Sequence, residues 1–181
     1  MKHEIHDSIK MPAGVQLNVQ GTIVSVNGKK GTLQRQFVAP GVTIKNENQQ
    51  LIFQAPKGTL REKRTIKTFK AHLKNMITGV TEGYKYELKI CSGHFPMSVA
   101  VEGNKKVTIK NFLGEKVPRG AIIDEGVTVK VEGDRVICEG ADKERVGQTA
   151  ARIEKATRIK GRDRRVFQDG IYIIGKAKSA S

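Results

Sequence analysis

Four cations crowd around one glycine near the end of the chain: Lys160, Arg162, Arg164 and Arg165 flank Gly161. The stretch they belong to, residues 155–178, carries eight Lys or Arg against two Asp. A guanidinium is planar, permanently charged and presents a rigid fork of donors, which suits two-pronged contact with phosphate. The chemistry on offer is anion recognition rather than bond making. Lys155 and Arg158 lead into the cluster, and Lys176 follows it. A second basic segment, residues 57–74, holds seven Lys or Arg against one Glu, Arg61 and Arg64 among them. Lys29, Lys30, Lys116 and Arg119 add charge at predicted turns. These residues are the candidate contacts for a polyanion.

Groups that could catalyse a reaction do not assemble. Gly170 to Lys176 nearly spells a phosphate-binding loop, but residue 177 is Ala, so the hydroxyl that would hold magnesium is missing, and only five residues follow Lys176. No G-x-S-x-G turn and no H-E-x-x-H pair occurs. Asp124 and Glu125 read as a polar turn, His94 beside Phe95-Pro96 as structural, and His72 as a surface residue among lysines. His3 and His6 fall in a polar opening, residues 1–11, that reads as a solvated extension. Cys91 and Cys138 lie far apart with no CxxC, and read as buried, reduced thiols. No metal, cofactor or small-molecule substrate is expected, and no enzymatic activity.

Composition narrows the partner. The chain has 181 residues and a formal net charge of +15. Such an excess repels itself, and a polyanion relieves the repulsion. Nucleic acid is the first partner to consider. A membrane surface is the second, but Trp is absent and aromatic residues make up only 5%, so the anchors of a membrane-bound helix are wanting. No signal peptide and no apolar run of transmembrane length is read, and the expected location is cytoplasmic.

A loop presents cations in a fixed array only if both of its ends are held. A helix from about 142 to 157, with Val146, Ala150, Ile153 and Ala156 inward, precedes the basic loop, and a short strand at Ile171–Ile174 follows it. An earlier helix is expected to start near Thr65. Its apolar stripe is Ile66, Phe69, Leu73, Met76, Ile77 and Val80; Lys67, Lys70 and Lys74 lie off the stripe, and Gly79 stands as the C-terminal cap. Most of the remainder alternates apolar and polar residues between turn signals, as strands do. One pattern recurs: Gly14, Val15, Leu17, Val19, Gly21, Val24 and Gly28 match Gly126, Val127, Val129, Val131, Gly133, Val136 and Gly140 at constant offset. This predicts an α+β protein of two similar tandem domains from an internal duplication, residues 1–81 and 82–181, each an antiparallel sheet with a helix packed on one face. The aromatic residues suggest no stacking platform, so the expected mode is reading of shape and phosphates on folded RNA.

Several runs resemble the large-subunit ribosomal protein L6 family, in its archaeal and eukaryotic branch. They are Arg165-x-Phe167-x-Asp169-Gly170-Ile171-Tyr172-Ile173 with Lys176, the run Asn111 to Lys116, the run Asn75 to Gly83, His94-Phe95-Pro96, and Val146-Gly147-Gln148 with Ala150, Ala151 and Ile153. One departure is Gly28-Lys29-Lys30-Gly31, where the family often has Gly-Pro-Lys-Gly. The resemblance implies a non-enzymatic structural constituent of the large ribosomal subunit with two similar α+β domains. It implies binding to large-subunit rRNA near the factor-binding, GTPase-associated region and the sarcin–ricin loop. The implied neighbours are other large-subunit ribosomal proteins, with translation factors nearby. The main contact is implied for the second domain, which here means Lys160, Gly161, Arg162, Arg164 and Arg165, and residues 176–181 would be mobile or draped on RNA. Apart from the resemblance, a basic RNA-binding regulator outside the ribosome is the other reading.

Overall fold

The computed structural model describes residues 3–47 and 50–179. The chain divides after Glu82 into two compact units. The first holds β1 (His3–Lys10), β2 (Gln16–Gln20), β3 (Ile23–Gly28), β4 (Gly31–Gln36), β5 (Thr43–Glu47), β6 (Gln50–Gly58) and α1 (Leu60–Thr81). They form two antiparallel three-stranded sheets, ordered β1-β6-β5 and β2-β3-β4. The core gathers Val24, Val26, Leu51 and Phe53 from the strands and Ile66, Leu73, Met76 and Val80 from α1.

Three sequence expectations need correction here. Residues 3–10 are a paired strand rather than a solvated extension. Ile5 and Ile9 pack against the core, and Asp7 takes Lys70 Nζ at 2.6 Å. α1 starts earlier than Thr65: Thr59 is its N-cap, and with Glu62 three residues on it forms a capping box. Thr65 instead turns its hydroxyl back to the Arg61 carbonyl at 3.1 Å. Gly79 does not end the helix but lies buried inside it, and the left-handed glycine past the end is Gly83, at φ 79°.

The second unit holds β7 (Tyr84–Cys91), β8 (Ser98–Glu102), β9 (Lys106–Lys110), β10 (Arg119–Ile122), β11 (Val127–Glu132), β12 (Arg135–Gly140), α2 (Lys143–Ala156) and β13 (Gly170–Ser179). Its sheets are ordered β10-β9-β8 and β11-β12-β7-β13, all antiparallel. α2 is capped by Asp142, buries Val146, Thr149, Ala150 and Ile153, and packs on β13, β10 and β7. β13 runs past Ile174 and pairs with β7 as far as Ser179, so residues 176–179 belong to a strand and not to a loose tail. Residues 180 and 181 lie outside the described part. Cys138 is buried, which pushes its thiol up to about 12, whereas Cys91 is only half-buried.

The repeated sequence folds into equivalent hairpins. Leu17 faces Val26 and Val19 faces Val24 in the first; Val129 faces Cys138 and Val131 faces Val136 in the second. The repeated glycines have physical roles. Gly14 and Gly126 hold φ of 87° and 80°, and Gly21 and Gly133 hold 62° and 60°, all left-handed. Gly28 and Gly140 are close-packing positions, where an added Cβ would stand 2.7 Å from Val80 and 2.8 Å from Val146. The surroundings differ: the third strand beside the hairpin is the next in the chain, β4, in the first unit, but the earlier β7 in the second.

Candidate nucleic-acid interface

The basic loop begins where α2 stops and ends where β13 starts. Thr157 fastens both points with one buried hydroxyl, which donates to the Glu154 carbonyl at 3.2 Å and accepts the Ile171 N–H at 2.9 Å. The next outward N–H of the same strand, from Ile173, donates to the Glu154 carboxylate at 3.1 Å. α2 thereby covers part of a sheet edge that would otherwise offer unpaired donors. Ile159 is buried and anchors the start of the loop.

Arg119 ties the loop from the side. Its Nη1 donates to the carbonyls of Ala156, at 2.9 Å, and Arg158, at 3.2 Å. Its Nε and Nη2 hold the Glu115 carboxylate at 2.7 and 2.5 Å, and its guanidinium lies 4.3 Å from the Phe112 ring centroid. The hydrogen bonds from Arg119 keep Glu115 below the ordinary carboxylate range against the opposing effect of burial, and the charges of Arg119 and Arg162 add to this. Arg119 is thus committed to protein atoms and positions the loop, where the sequence had placed it among the anion contacts. Its guanidinium also neutralises carbonyls at the C-terminal end of α2.

The far end of the loop is held by Asp169. This buried carboxylate accepts the N–H of Gly93 at 2.9 Å, the N–H of His94 at 3.1 Å, and His94 Nδ1–H at 3.1 Å. Burial acts to raise its pKa; the hydrogen bonds from His94 and Gly93 outweigh burial and hold it below its ordinary value of 3.8. Phe167 packs on the His94 ring, centroids 4.8 Å apart, and the Arg162 guanidinium carbon lies 4.8 Å from the Phe167 centroid. Asn111 Nδ2 donates to the Pro96 carbonyl at 2.9 Å. Three loops, 92–97, 111–118 and 158–169, therefore converge at one end of the second unit.

What projects from this end is cationic. Lys155, Arg158, Lys160, Arg162, Arg164, Arg165 and Lys116 are all exposed. Gly161 permits the bend between them, at φ 68°. Arg165 is paired through Nη2 with Asp163 at 2.8 Å, yet its side chain remains 90% exposed. That bond depresses the Asp163 carboxylate.

The remaining candidates are one residue of β13 and four of the first unit. Lys176 is an exposed residue of β13, about six residues and roughly 20 Å along the strand from the loop. Lys29 and Lys30 form the exposed β3–β4 turn, docked on the end of α1 by Lys30 N–H to the Val80 carbonyl at 2.9 Å. Arg61 and Arg64 are exposed in the first turns of α1. From Arg64 to Val80 the helix rises about 24 Å, so these two pairs cannot share one contact point. The sequence missed the pairing of His94 with Phe167, because the two are far apart in the chain and meet beside the Asp169 tether.

The fold and this end define a class: a doubled α+β scaffold that carries a rigid cationic lip. Two stretches, residues 11–83 and 95–170, match the family described as Ribosomal protein L6, one stretch for each copy of the duplication. Large ribosomal subunit protein uL6 of Methanocella arvoryzae is 48% identical over 169 residues, 93% of this chain and 96% of its own. Large ribosomal subunit protein uL6 of Methanococcus vannielii is 48% identical over 173 residues, 96% of this chain and 94% of its own. The chain belongs to the ribosomal protein L6 family, whose members are structural, non-enzymatic components of the ribosome. Among the described residues no helix is long and apolar enough to cross a membrane.

Proposed function

We propose that the loop of residues 158–168 is the main contact this chain makes with large-subunit ribosomal RNA. The chain is a structural constituent of the large ribosomal subunit in the cytoplasm, with ribosomal RNA and neighbouring ribosomal proteins as partners. On our reading its second domain, residues 82–181, docks near the factor-binding, GTPase-associated region beside the sarcin–ricin loop, with translation factors nearby. The resemblance of the run Arg165 to Lys176 to the family supports that location. Lys160, Arg162, Arg164 and Arg165 grip phosphates, flanked by Lys155, Arg158 and Lys116. Lys29, Lys30, Arg61, Arg64 and Lys176 serve as secondary contacts.

The observation that carries this reading is a loop pinned at both ends by Thr157 and Asp169 with its cations exposed. A pinned loop has already lost the freedom that binding would otherwise take from it. The test is a filter-binding titration of the double variant Arg164→Ala, Arg165→Ala on large-subunit RNA across a range of salt. Each lost phosphate contact should flatten the slope of log K against log salt by about 0.7 to 0.9. An unchanged slope would remove the loop from the interface.

A further inference from the structure

The loop end carries more than charge. Phe167 packs on both the His94 imidazole, tilted by 31° with centroids 4.8 Å apart, and the Arg162 guanidinium, whose carbon lies 4.8 Å from the ring centroid. Arg162 is an exposed residue whose charge also helps to lower the Glu115 carboxylate. Phe95, the chain neighbour of His94, is 40% exposed. Phe95 lies beside Gly114, whose left-handed φ of 79° turns the 111–118 loop beneath the ring. Each group is fixed from behind: His94 by Asp169, Phe167 through its N–H to the Asp163 carbonyl at 2.9 Å, and the loop of Phe95 by Asn111.

His94 and Phe95 are exposed and Phe167 is half-buried. Exposed π groups near cations are what an unstacked base requires, since bases swung out of a helix stack on aromatic rings and guanidinium planes. A surface that met only the backbone of a continuous duplex would have no use for them. We propose that Arg162, Phe167, His94 and Phe95 form a stacking site for one unpaired base, so that the RNA recognised carries a nucleotide outside its helix beside the phosphates gripped by Lys160 and Arg164. This rests on the reading that the loop faces RNA, and it adds the feature of the RNA that is selected.

The test compares two RNAs on the full chain: a fully paired stem, and the same stem interrupted by one unpaired 2-aminopurine. The wild-type chain should prefer the interrupted stem by about 5- to 100-fold, with a change in 2-aminopurine fluorescence on stacking. Arg162→Lys keeps the charge but loses the plane. It should lose most of the preference for the interrupted stem and the fluorescence change. Phe95→Leu should lower the preference without altering the salt slope. A wild-type chain that binds both stems equally would overturn the proposal while leaving the cationic contact standing, as would an Arg162→Lys variant that retains the full preference. Absence of salt-dependent binding to either stem would overturn the reading beneath it and the stacking site together.

Discussion

At the scale of single residues, buried polar groups hold the loop and exposed ones are free to bind. Asp169 illustrates the first kind. Its folded pKa lies below the ordinary 3.8, so the ionised form is favoured by folding. That stability is complete above the ordinary value and is lost as pH falls through the lower folded value. Acid titration of urea midpoints should show the second unit weakening below about pH 4, and Asp169→Asn should flatten that dependence. Asp169→Ala should lower stability by about 1–3 kcal/mol, since two backbone donors and an imidazole lose their acceptor. Of the four cations around Gly161, three show no pairing with a carboxylate among the described salt bridges, and Arg165 alone is tied to Asp163. The charge cluster itself was legible because adjacent residues of one kind are visible in one dimension. The role of Arg119 was not, because its acceptors on Ala156 and Arg158 are remote in the chain.

Elements show where periodicity informs and where it misleads. The apolar stripe of α1 and the inward face of α2 followed from three- and four-residue spacing, and both lie in the cores. The start of α1 did not, because the basic run hid a helix whose first turn is set by Thr59 and Glu62 rather than by any apolar residue. Thr59→Ala should cost about 1 kcal/mol, read as a lower thermal midpoint. β1 and the end of β13 were read as loose ends because polar side chains carry little alternation. Their pairing with β6 and β7 uses the backbone, which every residue supplies. The repeat was legible since its glycines answer steric demands shared by both hairpins. Gly140→Ala should destabilise by about 1–3 kcal/mol in a urea titration, because the new methyl meets the Gly126 carbonyl at 2.8 Å, and backbone yields poorly.

For the molecule as a whole, the division after Glu82 has an experimental counterpart. Each unit has its own core, and among the described residues the groups that hold the basic loop, Thr157, Arg119 and Asp169, belong to the second. Residues 83–181 expressed alone should give a dispersed amide spectrum and keep the salt-dependent RNA affinity of the loop. A collapsed spectrum would mean that the fragment needs the first unit to fold. The Thr157 clasp has a consequence for how such a chain can change. One hydroxyl closes the neck of the loop, so the span beyond it behaves as a cassette on a fixed chassis. Doubling the length of a flexible loop costs only about 0.6 kcal/mol once its ends are joined. Longer, shorter or differently charged fingers could be grafted there while the sheet beneath keeps its register, provided Thr157, Asp169 and Arg119 stay.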